Sequence, residues 1–283
     1  ILIGSKDTPS GIVARDVLVD IYLHWVPKER LITTNLWSSE LSKLVANAFL
    51  AQRISSINTI ASLCEVTEAD VTEVSRAIGM DSRIGSKFLN AGPGFGGSCF
   101  RKDILNLIYL CEYYQLNEVA AFWEQVVSVN DYQMERYVRR ILQAMFNTLV
   151  GKKLAVFGFA FKPDTGDTRD APAIYICKRL LEEKADLKIT DPYALDNARK
   201  DMHDNNEEGV EFIEDPYQAV EGAHGIALIT EWSLYKDLDY QKIFDRMEKP
   251  AFIFDGRNHL DHQALYEIGF NVYPVGKPAL SHL

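Results

Sequence analysis

A glycine-rich stretch that leads into a cysteine is the part of this sequence best suited to chemistry. It runs Ala91-Gly-Pro-Gly-Phe-Gly-Gly-Ser-Cys-Phe-Arg-Lys-Asp103, with four glycines and a proline ahead of Cys99. Glycine permits positive φ and lets a ligand approach the backbone, so we expect a shaped loop here. Apolar residues recur at helical spacing from Phe100 onward, which predicts a helix that begins near Ser98, with that serine as its N-cap.

Cys99 has the surroundings of an activated thiol in this pattern. Unpaired N–H groups and the positive end of the helix dipole stabilise a thiolate, and Arg101 and Lys102 add positive charge. Asp103 follows one turn later, where it could hydrogen-bond the thiol or a water beside it. The alternative is a small buried apolar residue, which is the usual state of a free cysteine. Because that alternative leaves the glycines unexplained, the sequence favours a nucleophile.

A long apolar helix carries a second pair of polar residues. Residues 38–64 form one predicted helix with apolar residues on nearly every face, which indicates a buried helix. Lys43 and Asn47 are four residues apart and share a face. A lysine on a buried helix is costly unless it is paired or functional, although a lysine that extends to solvent from the helix end fits the pattern equally well.

The composition is that of an acidic globular protein. The chain has 283 residues, 47% of them hydrophobic, and a net charge of −10. This is enough for two domains with real cores, and the negative charge argues against a nucleic-acid binder. The four cysteines are scattered without metal-ligand spacing, and no segment has the pattern of a signal peptide or membrane span. We therefore expect a cytoplasmic protein with no metal site and no membrane partner.

The order of predicted elements divides the chain into three parts. Residues 1–36 hold two strands around one helix, which we interpret as the end of a larger α/β domain and hence this chain as a fragment. Residues 37–148 are all helical, and their long apolar helices favour a dimer surface. Residues 149–283 alternate strands and helices, which predicts a Rossmann-like parallel sheet. The predicted fold class is therefore α/β, with a central all-helical domain followed by a Rossmann-like domain.

Two loops at strand ends in the last part carry cations. Lys162 follows the first strand of the sheet, and Arg257 follows a later one. Cations at the carboxyl edge of a parallel sheet suit a pyrophosphate, although solvated surface charges are the alternative. The turn Gly158-x-Ala160 does not match the Gly-x-Gly-x-x-Gly phosphate loop, so we predict no dinucleotide site from it.

Four motifs together resemble those of the UDP-glucose/GDP-mannose dehydrogenase family. They are Ser39-Glu-Leu-Ser-Lys-Leu-Val-Ala-Asn47, Gly94-Phe-Gly-Gly-Ser-Cys99-Phe-x-Lys-Asp103, Gly158-Phe-Ala-Phe-Lys162-x-Asp-Thr-x-Asp-x-Arg169 and Phe254-Asp-Gly-Arg257. The resemblance covers essentially the whole chain, and it is strongest to animal members that act on UDP-glucose. It implies that residues 1–36 are the tail of an NAD-binding domain, and that residues 149–283 bind the UDP-sugar.

The resemblance implies a four-electron oxidation of UDP-glucose to a carboxylate with two NAD+. Cys99 would add to the aldehyde, and the adduct would lose a second hydride to form a thioester that water hydrolyses. Lys43 would stabilise the alkoxide or shuttle its proton, and Asn47 would hydrogen-bond the same oxygen. Asp103 would orient the water or the thiol.

The resemblance also assigns binding residues. The substrate-binding residues would be Lys43, Asn47, Arg83 from a neighbouring subunit, Asn90, Ala91, Gly92, Pro93, Gly94, Phe95, Gly96, Phe161, Lys162 and Arg257. NAD would contact Cys99, Phe100, Arg101, Lys102 and Arg169. Asn90 departs from the family pattern, because animal members carry a lysine there. The implied assembly is a homo-oligomer, with a dimer through the helical block and a hexamer overall.

Other functions stay open at this point. One is a sister dehydrogenase that acts on GDP-mannose or an N-acetylated UDP-sugar, and another is a fragment that only binds UDP-sugars or mediates oligomerisation. A redox-sensor role for Cys99 is a third, but no resolving cysteine lies near it in the sequence. We expect the chain by itself to bind a UDP-sugar and to show no NAD-dependent turnover.

Overall fold

The first part of the fold is a small βαβ unit. The computed structural model describes residues 1–203 and 209–283. Strand β1 (Leu2–Ser5) and strand β2 (Ile32–Asn35) pair in parallel around helix α1 (Pro9–Leu23), with Leu2 opposite Ile32. Helix α1 buries none of its residues and exposes several apolar ones. The predicted strand–helix–strand order is therefore present.

Four helices form the central block. They are α2 (Leu36–Cys64), α3 (Val71–Gly79), α4 (Phe100–Tyr113) and α5 (Asn117–Ala144). Helices α2, α4 and α5 pack around a shared core that includes Ala48, Ala51, Ile104 and Val127. The prediction that α2 is buried all round is wrong for one face. Small residues of α2 face its neighbours, whereas larger ones such as Phe49 are exposed.

The third part is a six-stranded parallel sheet. Its strands are β3 (Lys153–Phe157), β4 (Asp186–Thr190), β5 (Val210–Phe212), β6 (Gly225–Leu228), β7 (Phe252–Asp255) and β8 (Asn271–Pro274). The spatial order is β5-β4-β3-β6-β7-β8, which is the doubly wound order of a Rossmann domain. All strands are parallel, but successive strands are added on one side of β3 up to β5 and on its other side from β6 onward. Ligands of such sheets bind at the carboxyl ends of the strands on either side of this switch point.

Helices and apolar cores cover both faces of the sheet. The helices are α6 (Pro172–Glu182), α7 (Leu195–His203), α8 (Pro216–Ala219), α9 (Tyr240–Arg246) and α10 (His262–Ile268). One core holds Val156 and Ile176, and the other holds Phe157 and Phe270. Helix α7 lies where the sequence pattern predicted none. The α/β fold class and the Rossmann-like sheet are confirmed.

The helical block and the sheet are joined through α5. The core on one face of the sheet contains Ile57 and Ile141 of the helical block as well as strand residues. The buried Tyr137 hydroxyl donates to the carbonyl of Phe254 at 2.7 Å, and Arg140 donates to the carbonyl of Pro274 at 2.5 Å. A shared core and these bonds hold the loop before α4 in a fixed position relative to the strand ends. No helix in the described part of the chain is long and apolar enough to cross a membrane.

Candidate active site

Buried amide side chains hold the glycine-rich loop in shape. Asn58 on α2 accepts a hydrogen bond from the Gly92 N–H (2.9 Å), and Gln133 on α5 donates to the Gly92 carbonyl (2.8 Å). Asn130 accepts from the Phe95 N–H (2.7 Å) and donates to its carbonyl (3.2 Å). Backbone groups of a buried loop need such partners, since an unmet one is costly. Sequence reasoning missed these three residues, although amides on otherwise apolar helix faces are a usable signal.

The glycines of the loop allow close packing against the segment before α6. A Cβ on Gly96 would lie 2.3 Å from the Asp170 carbonyl oxygen, which no side chain could tolerate. Gly97 has φ of +87° and lies against the Phe161 ring, and its N–H donates to the Arg169 carbonyl at 2.9 Å. Glycine is needed at both positions, and the predicted shaped loop is confirmed.

Cys99 is exposed at the start of α4. Helix α4 begins at Phe100, so Cys99 is the N-cap residue and does not lie in the first turn. The expected Ser98 cap is wrong, because in the described chain no side chain caps this helix. The Ser98 hydroxyl instead lies 3.7 Å from the Cys99 sulfur. The thiol still stands at the positive end of the helix dipole, where a thiolate is stabilised.

Lys43, Asn47 and Asp103 form one hydrogen-bonded cluster. One carboxylate oxygen of Asp103 accepts from the Lys43 ammonium at 2.6 Å and from the Asn47 amide at 2.5 Å. Burial by itself would raise the pKa of Asp103, but these two bonds outweigh it and hold that pKa below its ordinary value. The bond to Asp103 is the main reason that the pKa of Lys43 is raised, and the charge of a Cys99 thiolate raises it further.

The structure corrects two expectations about charges near Cys99. The Asp103 carboxylate bonds to Lys43 and Asn47 and not to the thiol, whereas its orientation of a water stays a prediction. The Arg101 guanidinium turns away to a two-bond pair with Asp131, at 2.6 and 2.9 Å, since a carboxylate matches its fork geometry. The Lys43 side chain is 64% exposed, so it extends toward solvent from α2 while its ammonium group pairs with Asp103.

A cleft of about 510 Å³ lies between the helical block and the carboxyl edge of the sheet. Its walls are Ile54, Phe88, Asn90, Gly94, Phe95, Gly96, Phe100, Phe161, Lys162, Glu231 and Arg257. The structure thus brings together predicted residues from three distant parts of the sequence. Sequence reasoning missed Ile54, Phe88 and Glu231, because each reaches the cleft only through the packing of its element.

Other predicted binding residues lie around this cleft. Ala91 lines a neighbouring cleft of about 470 Å³, and Gly92 and Pro93 are buried beneath Arg257 and Gly256. The Arg83 side chain lies outside the cleft, is 88% exposed and pairs with Asp81 at 2.6 Å. Its role toward a neighbouring subunit stays a prediction.

The residues predicted to contact NAD are placed differently from one another. The Phe100 ring packs edge-to-face against Phe95 in the cleft wall, whereas the Lys102 side chain is exposed. The Arg169 side chain is 70% exposed and pairs with Asp167 at 2.7 Å. Its pKa is raised mainly by Asp167, and a Cys99 thiolate adds to that effect. Exposed cations therefore lie near the thiol.

The turn after β3, which binds phosphate in dinucleotide-binding domains, is occupied here by the side chain of Asp191. After β3, the N–H groups of Phe159 and Ala160 point to one oxygen of Asp191, at 2.7 and 3.0 Å. In a dinucleotide-binding domain, N–H groups at this turn receive the pyrophosphate. A buried carboxylate already satisfies them here, which supports the expectation that this turn binds no dinucleotide. In the described residues, no group of His, Cys, Asp and Glu side chains could hold a metal ion.

Solved structures share this arrangement of domains. A UDP-glucose dehydrogenase from the archaeon Pyrobaculum islandicum superposes with a TM-score of 0.81 at 32% identity, covering 95% of this chain and 58% of that one. An NDP-N-acetyl-D-galactosaminuronic acid dehydrogenase from Methanosarcina mazei has a TM-score of 0.82 at 23% identity, covering 100% and 59%. The second likeness concerns the fold alone.

Curated sequences include relatives with higher identity than these structures. UDP-glucose 6-dehydrogenase 4 of Oryza sativa subsp. japonica is 56% identical over 98% of this chain, and UDP-glucose 6-dehydrogenase 1 of Arabidopsis thaliana is 54% identical over 100%. The chain spans 62% and 63% of their lengths. The central-domain profile of the UDP-glucose/GDP-mannose dehydrogenase family matches residues 37–132, and its UDP-binding-domain profile matches residues 155–262. The chain belongs to the UDP-glucose/GDP-mannose dehydrogenase family.

Proposed function

We propose that this chain forms the substrate-binding and nucleophile-bearing part of an NAD-dependent UDP-glucose 6-dehydrogenase. The observation that carries the proposal is the cleft, which joins the glycine-rich loop to Lys162 and Arg257, with the exposed Cys99 next to its wall at Phe100. The names of the rice and Arabidopsis relatives support UDP-glucose as the substrate. Because the chain spans about three-fifths of those relatives, the activity is proposed for the whole protein.

The two cations of the cleft would hold the diphosphate. Lys162 offers a point charge, and Arg257 offers a planar fork that can bind a phosphate through two hydrogen bonds. The loop from Asn90 to Gly96 would lie along the nucleoside, since its glycines let a ligand approach the backbone. Within this loop, the buried Gly92 and Pro93 would also support the turn that carries Arg257.

Cys99 would carry the second oxidation. The first oxidation converts the primary alcohol into an aldehyde, which has no hydride to lose until a nucleophile adds to it. The Cys99 thiolate adds to the aldehyde carbon and forms a thiohemiacetal, and loss of a hydride from that carbon gives a thioester. Water then attacks the thioester, releases the carboxylate and returns the thiol.

Lys43 and Asn47 would stabilise the oxygen on which charge develops. A lysine is protonated at neutral pH, and the bond to Asp103 raises the pKa of Lys43 further, so its ammonium group offers a positive charge to that oxygen. Asn47 adds an amide donor on the same helix face. Asp103 would hold both groups in place through one carboxylate oxygen, and its other oxygen, which neither bond uses, could orient the hydrolytic water.

NAD+, when bound, would supply the hydride acceptor for both oxidations. Its contacts within this chain would be the exposed Arg169 and Lys102, near the thiol. Arg101 fits such a contact less well, since Asp131 already holds its guanidinium. The Rossmann-like sheet of this chain does not fit the dinucleotide phosphates, because Asp191 fills its turn.

We also propose a homo-oligomer in the cytoplasm. The helical block exposes large apolar side chains, among them Trp37, Phe49 and Phe122, which a dimer would cover. A hexamer, with Arg83 reaching the cleft of a neighbouring subunit, follows from the family resemblance.

Titration of the protein with a panel of nucleotide sugars tests the substrate. We expect UDP-glucose to bind more tightly than GDP-mannose, and Lys162→Ala or Arg257→Ala to weaken its binding roughly tenfold. Lys153→Ala is the matched control, since this exposed lysine starts β3 at the opposite edge of the sheet. Tighter binding of GDP-mannose, or equal effects of all three variants, would contradict the proposal.

A further inference from the structure

A carboxylate lies in the cleft that is proposed to bind a diphosphate. Glu231, three residues after β6, lines the 510 Å³ cleft and also the neighbouring cleft of about 470 Å³. Asn90 and Arg257 are the other residues shared by both clefts. A carboxylate repels phosphate, so its presence between two such cavities calls for a compensating role.

The Arg257 side chain is held from several sides. Its Nε donates to the Ile229 carbonyl at 2.7 Å and lies 3.1 Å from one carboxylate oxygen of Glu231. That oxygen is buried, and it accepts no well-aligned hydrogen bond from the described residues, so it acts on Arg257 through its charge. On the other side, the Nη1 group lies against Gly92, where a Cβ would be only 2.8 Å away. The Arg257 guanidinium is thus fixed at its Nε edge and at Nη1, in the wall that both clefts share.

We propose that Glu231 is a positioning residue for Arg257. The carboxylate holds the guanidinium in advance, so that its charge and free N–H donors are already in place for the diphosphate of the nucleotide sugar. An arginine ordered beforehand loses less side-chain entropy on binding. The attraction across 3.1 Å exceeds the repulsion from a more distant phosphate, because charge interactions weaken with separation. This inference rests on the proposed UDP-sugar function of the cleft.

Titration with UDP and with uridine tests the role. We expect Glu231→Ala to weaken UDP binding roughly fivefold and to leave uridine binding unchanged, since uridine has no phosphate for Arg257 to bind. Glu231→Gln, which keeps the shape and an acceptor oxygen, should lie in between. The matched control is Glu248→Ala, because this exposed glutamate lies outside both clefts and its loss changes the net charge equally.

A double-variant cycle separates this role from a direct contact. If Glu231 acts through Arg257, then Glu231→Ala adds no further loss of UDP affinity in an Arg257→Ala background. Additive losses, or unchanged or tighter UDP binding by Glu231→Ala and Glu231→Gln, would overturn the inference. Parallel losses for UDP and uridine would show a general loss of structure and would overturn it as well. Failure of the unaltered protein to bind UDP would instead contradict the proposed function.

Discussion

The residues proposed to carry the chemistry differ in how firmly the structure holds them. Asp103 is buried and bonded to both Lys43 and Asn47, so the three side chains act as one unit. Cys99 is exposed and lies at the N-terminus of α4, where its environment depends on the helix dipole and nearby cations. The proposed nucleophile is therefore accessible, while the side chains proposed to stabilise charge are held in place by a buried carboxylate.

Replacing Cys99 by serine should stop formation of the acid. We expect at most a slow first oxidation, because an alkoxide is far harder to generate than a thiolate. NADH release and UDP-glucuronate formation, followed together in the unaltered whole protein and in the variant, measure both oxidation steps. Cys111→Ser is the control, since this thiol is buried in the helical core. Acid formation at the unaltered rate by Cys99→Ser would exclude Cys99 as the nucleophile.

Replacing Gly92 by alanine should lower UDP affinity with little loss of stability. The new methyl group would meet the Arg257 Nη1 group at 2.8 Å, and a flexible side chain can move aside where backbone cannot. We expect roughly a threefold to tenfold rise in the dissociation constant for UDP, as Arg257 leaves its bound orientation. Calorimetric titration measures this effect. Gly222→Ala meets no neighbour and lies outside both clefts, so it should leave UDP affinity unchanged, although the φ of +66° there costs an alanine some stability.

At the scale of elements, the site depends on turns that buried carboxylates organise. The turn after β7 carries Arg257, and the Asp255 carboxylate accepts N–H bonds from Arg257, His259 and Leu260. The His262 ring lies 2.9 Å from the same carboxylate. Asp191, which follows β4, organises the turn after β3 in the same way by accepting bonds from Phe159 and Ala160. Strand ends thus reach a defined geometry through buried carboxylates, and the cations proposed to bind the diphosphate lie on turns that are already fixed.

The stabilising effect of Asp255 should depend on pH. Burial alone would raise its pKa, but the His262 ring and the backbone N–H groups outweigh burial and lower it. A lowered folded-state pKa stabilises the fold above the unfolded-state value, near 3.9, and that contribution is lost as the pH falls through the folded-state value.

Urea unfolding of the natural protein and of Asp255→Asn, from pH 7 to pH 3, measures this dependence. We expect the variant to be less stable by about 2 kcal/mol at pH 7, and the difference to shrink toward low pH. Asp245→Asn, on the exposed side of α9, is the control. A difference that stays constant with pH would show that the carboxylate charge has no such role.

At the scale of the whole molecule, the helical block exposes large apolar side chains to solvent, as α1 also does. Phe49 on α2 is 55% exposed and contacts Trp123 of α5, and Phe122 beside it is 53% exposed. Burying such rings from water contributes about 1.5–3 kcal/mol each. An association through this surface would place two clefts in one particle.

Replacing Phe49 by lysine should weaken self-association. We expect the unaltered protein to sediment as a dimer or larger particle at micromolar concentration, and Phe49→Lys to shift it toward monomer, since a charge would be buried at the contact. Sedimentation velocity over a concentration series gives the result. Leu234→Lys, at a position in the Rossmann-like part that is 45% exposed, is a control outside the helical block and α1. A monomer at every concentration would contradict the proposed assembly surface.

Several features could be predicted from the sequence because they depend on local patterns. The glycine-rich loop, the helix after it, the parallel sheet and the two cationic strand ends follow from φ preferences and hydrophobic periodicity, which act over a few residues. The long helix from residue 36 to 64 was predicted within two residues of its start. Four motifs with their spacing were sufficient to indicate the family.

Only the tertiary structure decided what each of these residues contacts. Arg101 turns to Asp131, Asp103 bonds to Lys43, Asp191 fills the turn after β3, and Glu231 lies beside Arg257. These partners are separated by 26 to 60 positions in the sequence, as follows from their residue numbers. Which carboxylate meets which cation therefore depends on how α5 packs on the sheet and on the order of the strands. No periodicity in the sequence encodes such a choice, because it results from long-range packing.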